Sequence, residues 1–218
     1  MPRIARVVVA DVPYHVTQRG NYRQNIFEEN ADREKYIEFF NTYREKYNIK
    51  LYAWCLMDNH VHFIVEPSSE KGLAQLFNDT HMRYSQYFNK KRGVAGHLWQ
   101  GRFFSCALDS DHLYEAIRYV ELNPLRAGIV NRIDGYYWSS MKCHLNGKGK
   151  LVLDSIDKYL QIDDWKAYLR EKADDELVKN IRNKTKVGKP LGDSKFIKKI
   201  EKITGRSFSK KKSGRPKK

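Results

Sequence analysis

Apolar and polar positions alternate in residues 13–19 (Pro-Tyr-His-Val-Thr-Gln-Arg), and that period of two predicts a strand. Over residues 31–47 the period lengthens. Ile37, Phe40 and Tyr47 fall on one helical face, with charge on the other. Residues 50–56 are β-prone, Met57-Asp58-Asn59 offers a tight turn, and residues 60–65 predict the returning arm of a hairpin that Pro67-Ser68-Ser69 breaks. Residues 71–90 predict a helix with Leu73, Leu76, Phe77, Tyr84 and Tyr87 or Phe88 inward, and residues 97–107 return to strand. The order is β-α-β-β-α-β, so the expected fold is α+β: the ferredoxin-like split βαβ with an antiparallel sheet. A further helix is expected over residues 111–123, with Asp109 or Ser110 as its cap and Leu113, Ile117 and Val120 as its buried stripe. Pro124 ends or kinks it near Leu122-Asn123, because the residue before proline is disfavoured in the α region. Residues 125–140 finish the domain, with Trp138 as an anchor.

The pattern changes after that. Residues 1–145 read as one domain and residues 146–218 as a helical extension with a basic tail. Within the extension, residues 151–182 look helical and charged and residues 183–194 look like a linker. Residues 195–203 form a short amphipathic helix with Phe196, Ile197, Ile200 and Ile203 apolar. The last stretch, Lys210-Lys211-Lys212-Ser213-Gly214-Arg215-Pro216-Lys217-Lys218, cannot fold alone, and its Gly-Arg-Pro core resembles an AT-hook.

Charge follows the same division. The net charge is +15, yet residues 180–218 hold 15 lysines and arginines against 2 acids, and residues 1–179 hold 26 against 24. A basic tail on a near-neutral domain points to a polyanion, nucleic acid first. No apolar stretch approaches the roughly 20 residues a membrane helix needs. The N-terminus lacks a signal peptide's apolar core. A cytoplasmic, nucleoid-associated location is expected. Cys55, Cys106 and Cys143 are odd in number and far apart, so they form neither a CxxC zinc pattern nor a disulfide framework.

The candidate chemistry lies in His60-Val61-His62. On a strand both imidazoles point the same way, so together they can hold one divalent ion, whereas Val61 and Phe63 point into a core. A bare His-x-His is more often two ordinary strand histidines. Tyr119 and Asn123, spaced i, i+4, supply what the pair lacks: a hydroxyl nucleophile and a polar third ligand on one helix face. The set His60, His62 and Asn123 suits Mg²⁺ or Mn²⁺. Tyr114 is a rival nucleophile without a polar residue at i+4. Arg19, Arg23, Gln100 and Arg102 are candidate DNA contacts, with Lys210, Lys211, Lys212, Arg215, Lys217 and Lys218 in the tail. Tyr22 or Trp99 could stack on bases, with core packing the better reading of Trp99. His15, His81, His97, His112 and His144 have no paired spacing and take no metal role.

Three separated segments also carry a resemblance. They are Met57-Asp58-Asn59-His60-Val61-His62-Phe63, Gly96-His97-Leu98-Trp99-Gln100-Gly101-Arg102-Phe103, and Arg118-Tyr119-Val120-Glu121-Leu122-Asn123-Pro124-Leu125-Arg126-Ala127-Gly128. Together with Tyr14-His15-Val16-Thr17-Gln18-Arg19-Gly20-Asn21 they resemble the REP-associated tyrosine transposases, single-tyrosine members of the HUH endonucleases. The resemblance covers residues 2–140. It implies a catalytic tyrosine at Tyr119 on a C-terminal helix, metal ligands at His60, His62 and Asn123, and cleavage of single-stranded DNA at hairpin-forming repeats. The product would be a 5′-phosphotyrosyl link with a free 3′-OH, made by a monomer or a homodimer. Two other readings remain at this level: a repeat-binding protein that does not cleave, and an HUH replication initiator or relaxase.

Overall fold

The computed structural model describes residues 8–171 and 174–208. Its first seven regular elements are β1 (Tyr14–Arg19), α1 (Asn30–Lys46), β2 (Ile49–Met57), β3 (His60–Pro67), α2 (Gly72–Arg92), β4 (Phe104–Ala107) and α3 (Ser110–Glu121). Five more helices follow: α4 (Asn123–Arg126), α5 (Met141–Asn146), α6 (Trp165–Arg170), α7 (Asp175–Val187) and α8 (Ser194–Thr204). The four strands form one antiparallel sheet in the order β2-β3-β1-β4. This is the expected α+β, β-α-β-β-α-β frame.

Strand alternation divides β3 between two layers. Phe63 stacks on Phe40 of α1, with ring centroids 4.3 Å apart, and meets Phe77 of α2 at 5.6 Å. Val61, Phe63 and Val65 therefore build the core under α1 and α2. The opposite face, which carries His60 and His62, is covered by α3, and α7 packs beside α3 against β4 and β1. Burying these apolar rings contributes about 1.5–3 kcal/mol each.

The helix α3 is held from several sides. Asp109 caps it, its side chain accepting from His112 N at 2.9 Å. Buried Glu121 accepts from Ser140 Oγ at 2.5 Å and His144 Nδ1 at 2.6 Å, which clamps α5 behind it. Arg118 Nε donates to the Tyr168 carbonyl of α6 at 3.1 Å. The helix stops at Glu121 rather than 123, because Pro124 lacks the N–H the α-helix needs and instead opens the short α4.

Three segments differ from expectation. Of residues 97–107 only Phe104–Ala107 joins the sheet. Gly96 and Gly101, at φ 117° and 125°, break the extended run, and Trp99 instead bridges to Gly20 and donates Nε1–H to the His81 carbonyl at 3.1 Å. Within 151–182 the described residues hold α6 and the first eight residues of α7 after an irregular stretch, and Asp164 and Asp174 cap the two helices. Residues 183–194 are no linker. The first five complete α7, whose buried Val178, Ile181 and Thr185 recur at helical spacing, and Leu191 then pairs with Leu108 beside β4. Packing therefore continues past residue 146, from α7 onto β1, β4 and α3.

Candidate active site

β3 presents His60 and His62 on the α3 side of the sheet, and α3 lowers Tyr119 onto them. The Tyr119 ring lies 5.5 Å from His62, edge to face, and His60 lies 4.9 Å from His62. A third histidine, which the sequence left without a role, joins them. His15 of β1 sits diagonally across from His62, since β1 and β3 pair Thr17 with His62 and His15 with Ile64. It stacks on His62 at 5.2 Å and meets Tyr119 at 5.6 Å.

A hydrogen-bond chain connects these rings to α7. His62 Nδ1 is 2.9 Å from His15 Nε2, and His15 Nδ1 is 2.8 Å from Thr185 Oγ1. If each Nδ1 carries the proton, the chain runs from His62 through His15 to Thr185 and leaves a lone pair on His62 Nε2. That nitrogen is buried and has no partner among the described residues. His60 is oriented similarly. Asn59 Nδ2 donates to the Arg23 carbonyl at 3.3 Å, so its Oδ1 faces His60 Nδ1, 2.6 Å away, and must accept. Nε2 of His60 is then the free lone pair.

Charge and burial keep the imidazoles neutral. Burial lowers the His15 pKa to about 3. Burial, reinforced by the nearby charges of Arg19 and Arg182, lowers His60 to about 4. His62 is pushed down by burial first and then by His60, His15, Arg19 and Arg182. Neutral imidazole is the form that ligates a cation. The donor set therefore fits a divalent metal: an orphaned, buried nitrogen at His62 and an oriented one at His60. Asn123 donates Nδ2–H to the Tyr119 carbonyl at 2.8 Å, and its amide oxygen takes no hydrogen bond among the described residues. No group of three His, Cys, Asp or Glu side chains suited to a metal occurs among the described residues. The described residues thus bring two imidazoles together, whereas the Asn123 side chain is held on the Tyr119 carbonyl with no hydrogen bond to either ring.

Tyr119 is almost fully buried, and its hydroxyl oxygen accepts from Arg182 Nε at 3.2 Å. The rival Tyr114 faces elsewhere, against Tyr168 at 4.3 Å and under the Arg118 guanidinium at 5.0 Å. His15, Thr185 and Arg182 were not anticipated. Alternation puts His15 on the same face of β1 that Thr17 occupies, but strand pairing is what brings it to His62. Arg182 and Thr185 lie in a segment whose charges hid its apolar stripe.

Arg19, Arg23 and Gln100 collect at the His60 end of the sheet, whereas Arg102 lines a cavity with Phe77, Asn78 and Met82 of α2, on the other side of the sheet. Arg19 pairs with His60 across β1 and β3, Gln100 N donates to the Arg19 carbonyl at 2.9 Å, and Gly20 N donates to the Asn59 carbonyl at 2.9 Å. Arg23, Gln100 and Arg102 are exposed. Between Gly20 and Gln24 the chain makes a tight turn with Tyr22 at φ 51° and Arg23 at φ 61°. Lys210, Lys211, Lys212, Arg215, Lys217 and Lys218 lie outside the described residues.

The family described as IS200-like transposases matches residues 8–123, more than half of the 218-residue chain. The chain belongs to this family. A transposase is an enzyme that processes DNA, so the site described above belongs to a DNA-processing protein. A solved structure of a REP-associated tyrosine transposase bound to a REP hairpin has the same fold, with a TM-score of 0.55 and 17% identity over 77% of this chain and 96% of that one. The share covered, 77% of 218 residues, is more than residues 1–145 can supply, so the likeness in fold reaches into the extension. A putative transposase from Deinococcus radiodurans R1 superposes less well, with a TM-score of 0.37 and 19% identity over 59% of this chain and 92% of that one. No curated protein sequence matches. Among the described residues of this transposase, no helix is long and apolar enough to cross a membrane.

Proposed function

We propose that this transposase cleaves and rejoins single-stranded DNA at hairpin-forming repeats, with Tyr119 as the nucleophile. The observation that carries the reading is the Tyr119 ring set 5.5 Å from His62, whose buried Nε2 has no partner among the described residues, with His60 beside it held through Nδ1 by Asn59. The Tyr119 oxygen attacks phosphorus as the bond to the 3′ oxygen breaks. The phenolic proton leaves to solvent and the 3′ oxygen takes one up, giving a 5′-phosphotyrosyl link and a free 3′-OH. In rejoining, a 3′-OH attacks the same phosphorus and the tyrosine oxygen departs.

His60 Nε2, His62 Nε2 and the Asn123 amide oxygen would hold Mg²⁺ or Mn²⁺, which when bound polarises the scissile phosphate and offsets its developing charge. The chain's own residues set the rest. The relay from His62 to Thr185 fixes one ring, and Asn59 fixes the other. A recessed hydroxyl suits an unpaired strand, which can turn a phosphate inward, better than a rigid duplex. Arg19, Arg23 and Gln100 flank the His60 end of the sheet, where the strand would lie, and Arg102, on the α2 side, would meet DNA that continues past it. The REP hairpin seen with the structurally similar transposase supports a hairpin partner. Membership of the IS200-like family favours a transposase over a replication initiator or relaxase.

The test is covalent capture. The full chain, Mn²⁺ and a single-stranded oligonucleotide carrying the inverted repeats that flank the gene should give a denaturant-stable protein–DNA adduct. Chelator should abolish it, and Tyr119→Phe should not form it. An adduct with Tyr119→Phe overturns the assignment of the nucleophile, and DNA binding with no adduct under any metal favours the non-cleaving reading.

A further inference from the structure

We propose that Arg182 is a catalytic residue, whose Nε–H holds the Tyr119 oxygen and stabilises its negative charge as it attacks and departs. The inference rests on the reading of Tyr119 as nucleophile. Arg182 lies beyond residues 8–123, the segment that defines the family match.

The placement is built by α7. Asp174 caps its first turn, accepting from the amides of Glu176 at 2.8 Å and Leu177 at 3.3 Å, and Gly188 at φ 71° ends it. Val178, Ile181 and Thr185 face the sheet. Arg182 and Thr185, three residues apart, are neighbours on one face. Thr185 ends the histidine relay, and Arg182 reaches the nucleophile. One helical turn therefore fixes both the orientation of His62 and the environment of the Tyr119 oxygen.

The contact itself has the form that charge stabilisation needs. Nε is 3.2 Å from the Tyr119 oxygen, and the guanidinium carbon lies 5.3 Å from the ring centroid. Arg182 has no acidic partner among the described residues, so its charge is not consumed by an ion pair. The residue is exposed although the tyrosine beneath it is buried. A guanidinium has five N–H donors. With Nε on the tyrosine, the two terminal nitrogens of this exposed side chain make no hydrogen bond or ion pair among the described residues and remain available to a phosphate. A planar fork of that kind matches a phosphate oxygen pair. In cleavage the Nε–H stabilises the oxygen as the O–P bond forms. In rejoining the same oxygen is the leaving group, so the same contact acts again. Both half-reactions should therefore depend on Arg182.

The experiment uses the full chain with Mn²⁺ and the hairpin oligonucleotide, under single-turnover conditions that read both the rate and the amplitude of adduct formation. Arg182→Ala should slow adduct formation by about 100-fold, the scale seen when one preorganised donor to a developing oxyanion is removed. Strand rejoining from preformed adduct should slow by a similar factor. Arg182→Lys should recover part of both losses. A purely structural role would lower the fraction of protein that forms adduct without slowing the single-turnover rate of the fraction that does. Lys179→Ala, exposed on the same helix, controls for damage to α7. An Arg182→Ala protein with unchanged rate, one that loses only amplitude, or one that cleaves faster, overturns the inference while Tyr119→Phe still fails to form adduct. An adduct with Tyr119→Phe would instead remove the reading on which the inference rests.

Discussion

His15 Nε2 stands 2.9 Å from His62 Nδ1, although the two residues are 47 positions apart in the chain. Antiparallel register brings them together, with His15 opposite Ile64 and His62 opposite Thr17. The contact fills the Nδ1 side of His62 and leaves its Nε2 as the only atom of the ring able to serve a ligand.

Replacing His15 by leucine should therefore weaken metal binding while the fold survives. Leucine fills much of the volume but cannot accept from His62 Nδ1, so the ring loses its orientation and its preferred tautomer. Loss of such a supporting partner costs about 10- to 100-fold in metal affinity. Titrating Mn²⁺ into wild type and His15→Leu, read by the free-ion paramagnetic signal, measures it. Equal affinities would mean the relay does not tune the site.

The cap of α3 predicts a pH dependence of stability. His112 donates to Asp109, which raises the His112 pKa through that hydrogen bond, while the same contact, working against burial, helps lower Asp109. A raised histidine pKa means the folded state holds its proton more tightly. That contribution is fully present below the unfolded value of about 6.5 and fades as pH rises through the folded one. The Asp109 contribution is present above about 3.8 and fades as pH falls. Urea midpoints at pH 6 and pH 8 should show wild type losing stability over this interval by more than His112→Gln does. Parallel curves would show the pair to be energetically silent.

The sheet and the helix carrying Tyr119 were legible because each depends on local periodicity. Alternation marked β1 and β3, and the Leu113, Ile117 and Val120 stripe marked α3. Residues 97–103 misled because an apolar alternation there is interrupted by glycines whose backbone angles no pattern displays. The candidate site divides similarly. His60 and His62 declare themselves by spacing and Tyr119 by its place on α3, whereas Asn123 falls past the end of that helix, in α4. His15, Arg182 and Thr185 reach the site through strand register and through α7 docking on β1, β4 and α3. Those are long-range facts, and a charged helix with only three buried positions gives little sign of them.

The turn after β1 predicts a trade between stability and binding. Tyr22 is 93% exposed and held at φ 51°, a left-handed conformation that costs a residue with a Cβ about 1–2 kcal/mol. Since the ring buries almost nothing, Tyr22→Gly should leave stability unchanged or raise it by less than about 1 kcal/mol, the entropy of glycine offsetting part of the relief. Affinity for single-stranded DNA should fall by the loss of one stacking ring, about 1–3 kcal/mol. Urea unfolding and fluorescence anisotropy on the same preparations decide it. Unchanged affinity would mean the exposed ring does not meet the strand. Gly20→Ala, by contrast, should destabilise, because its Cβ would fall 2.4 Å from the Gln24 carbonyl oxygen and 2.8 Å from Ile26 Cγ2.

The basic tail and the end of α7 should separate cleanly by truncation. A cut at residue 183 removes Thr185, which bonds His15, and the last turn of a helix packed on β1, β4 and α3. Deleting residues 183–218 should therefore cost the histidine relay as well as charge, and cleavage should collapse with binding. Deleting only residues 209–218 spares α7 and α8 and removes Lys210, Lys211, Lys212, Arg215, Lys217 and Lys218. Basic side chains on phosphates release counterions, so log affinity falls with log salt by roughly 0.7 to 0.9 per contact. If half of these six side chains meet phosphates, the shorter truncation should flatten that slope by about 2 to 3. Single-turnover cleavage at saturating DNA should stay near wild type. Affinity for one hairpin across a salt series, measured for both truncations, tests the point. An unchanged slope for the shorter truncation would show that the tail does not touch DNA, and a normal cleavage rate for the longer one, which keeps Arg182, would show that Thr185 and the end of α7 do not serve the site.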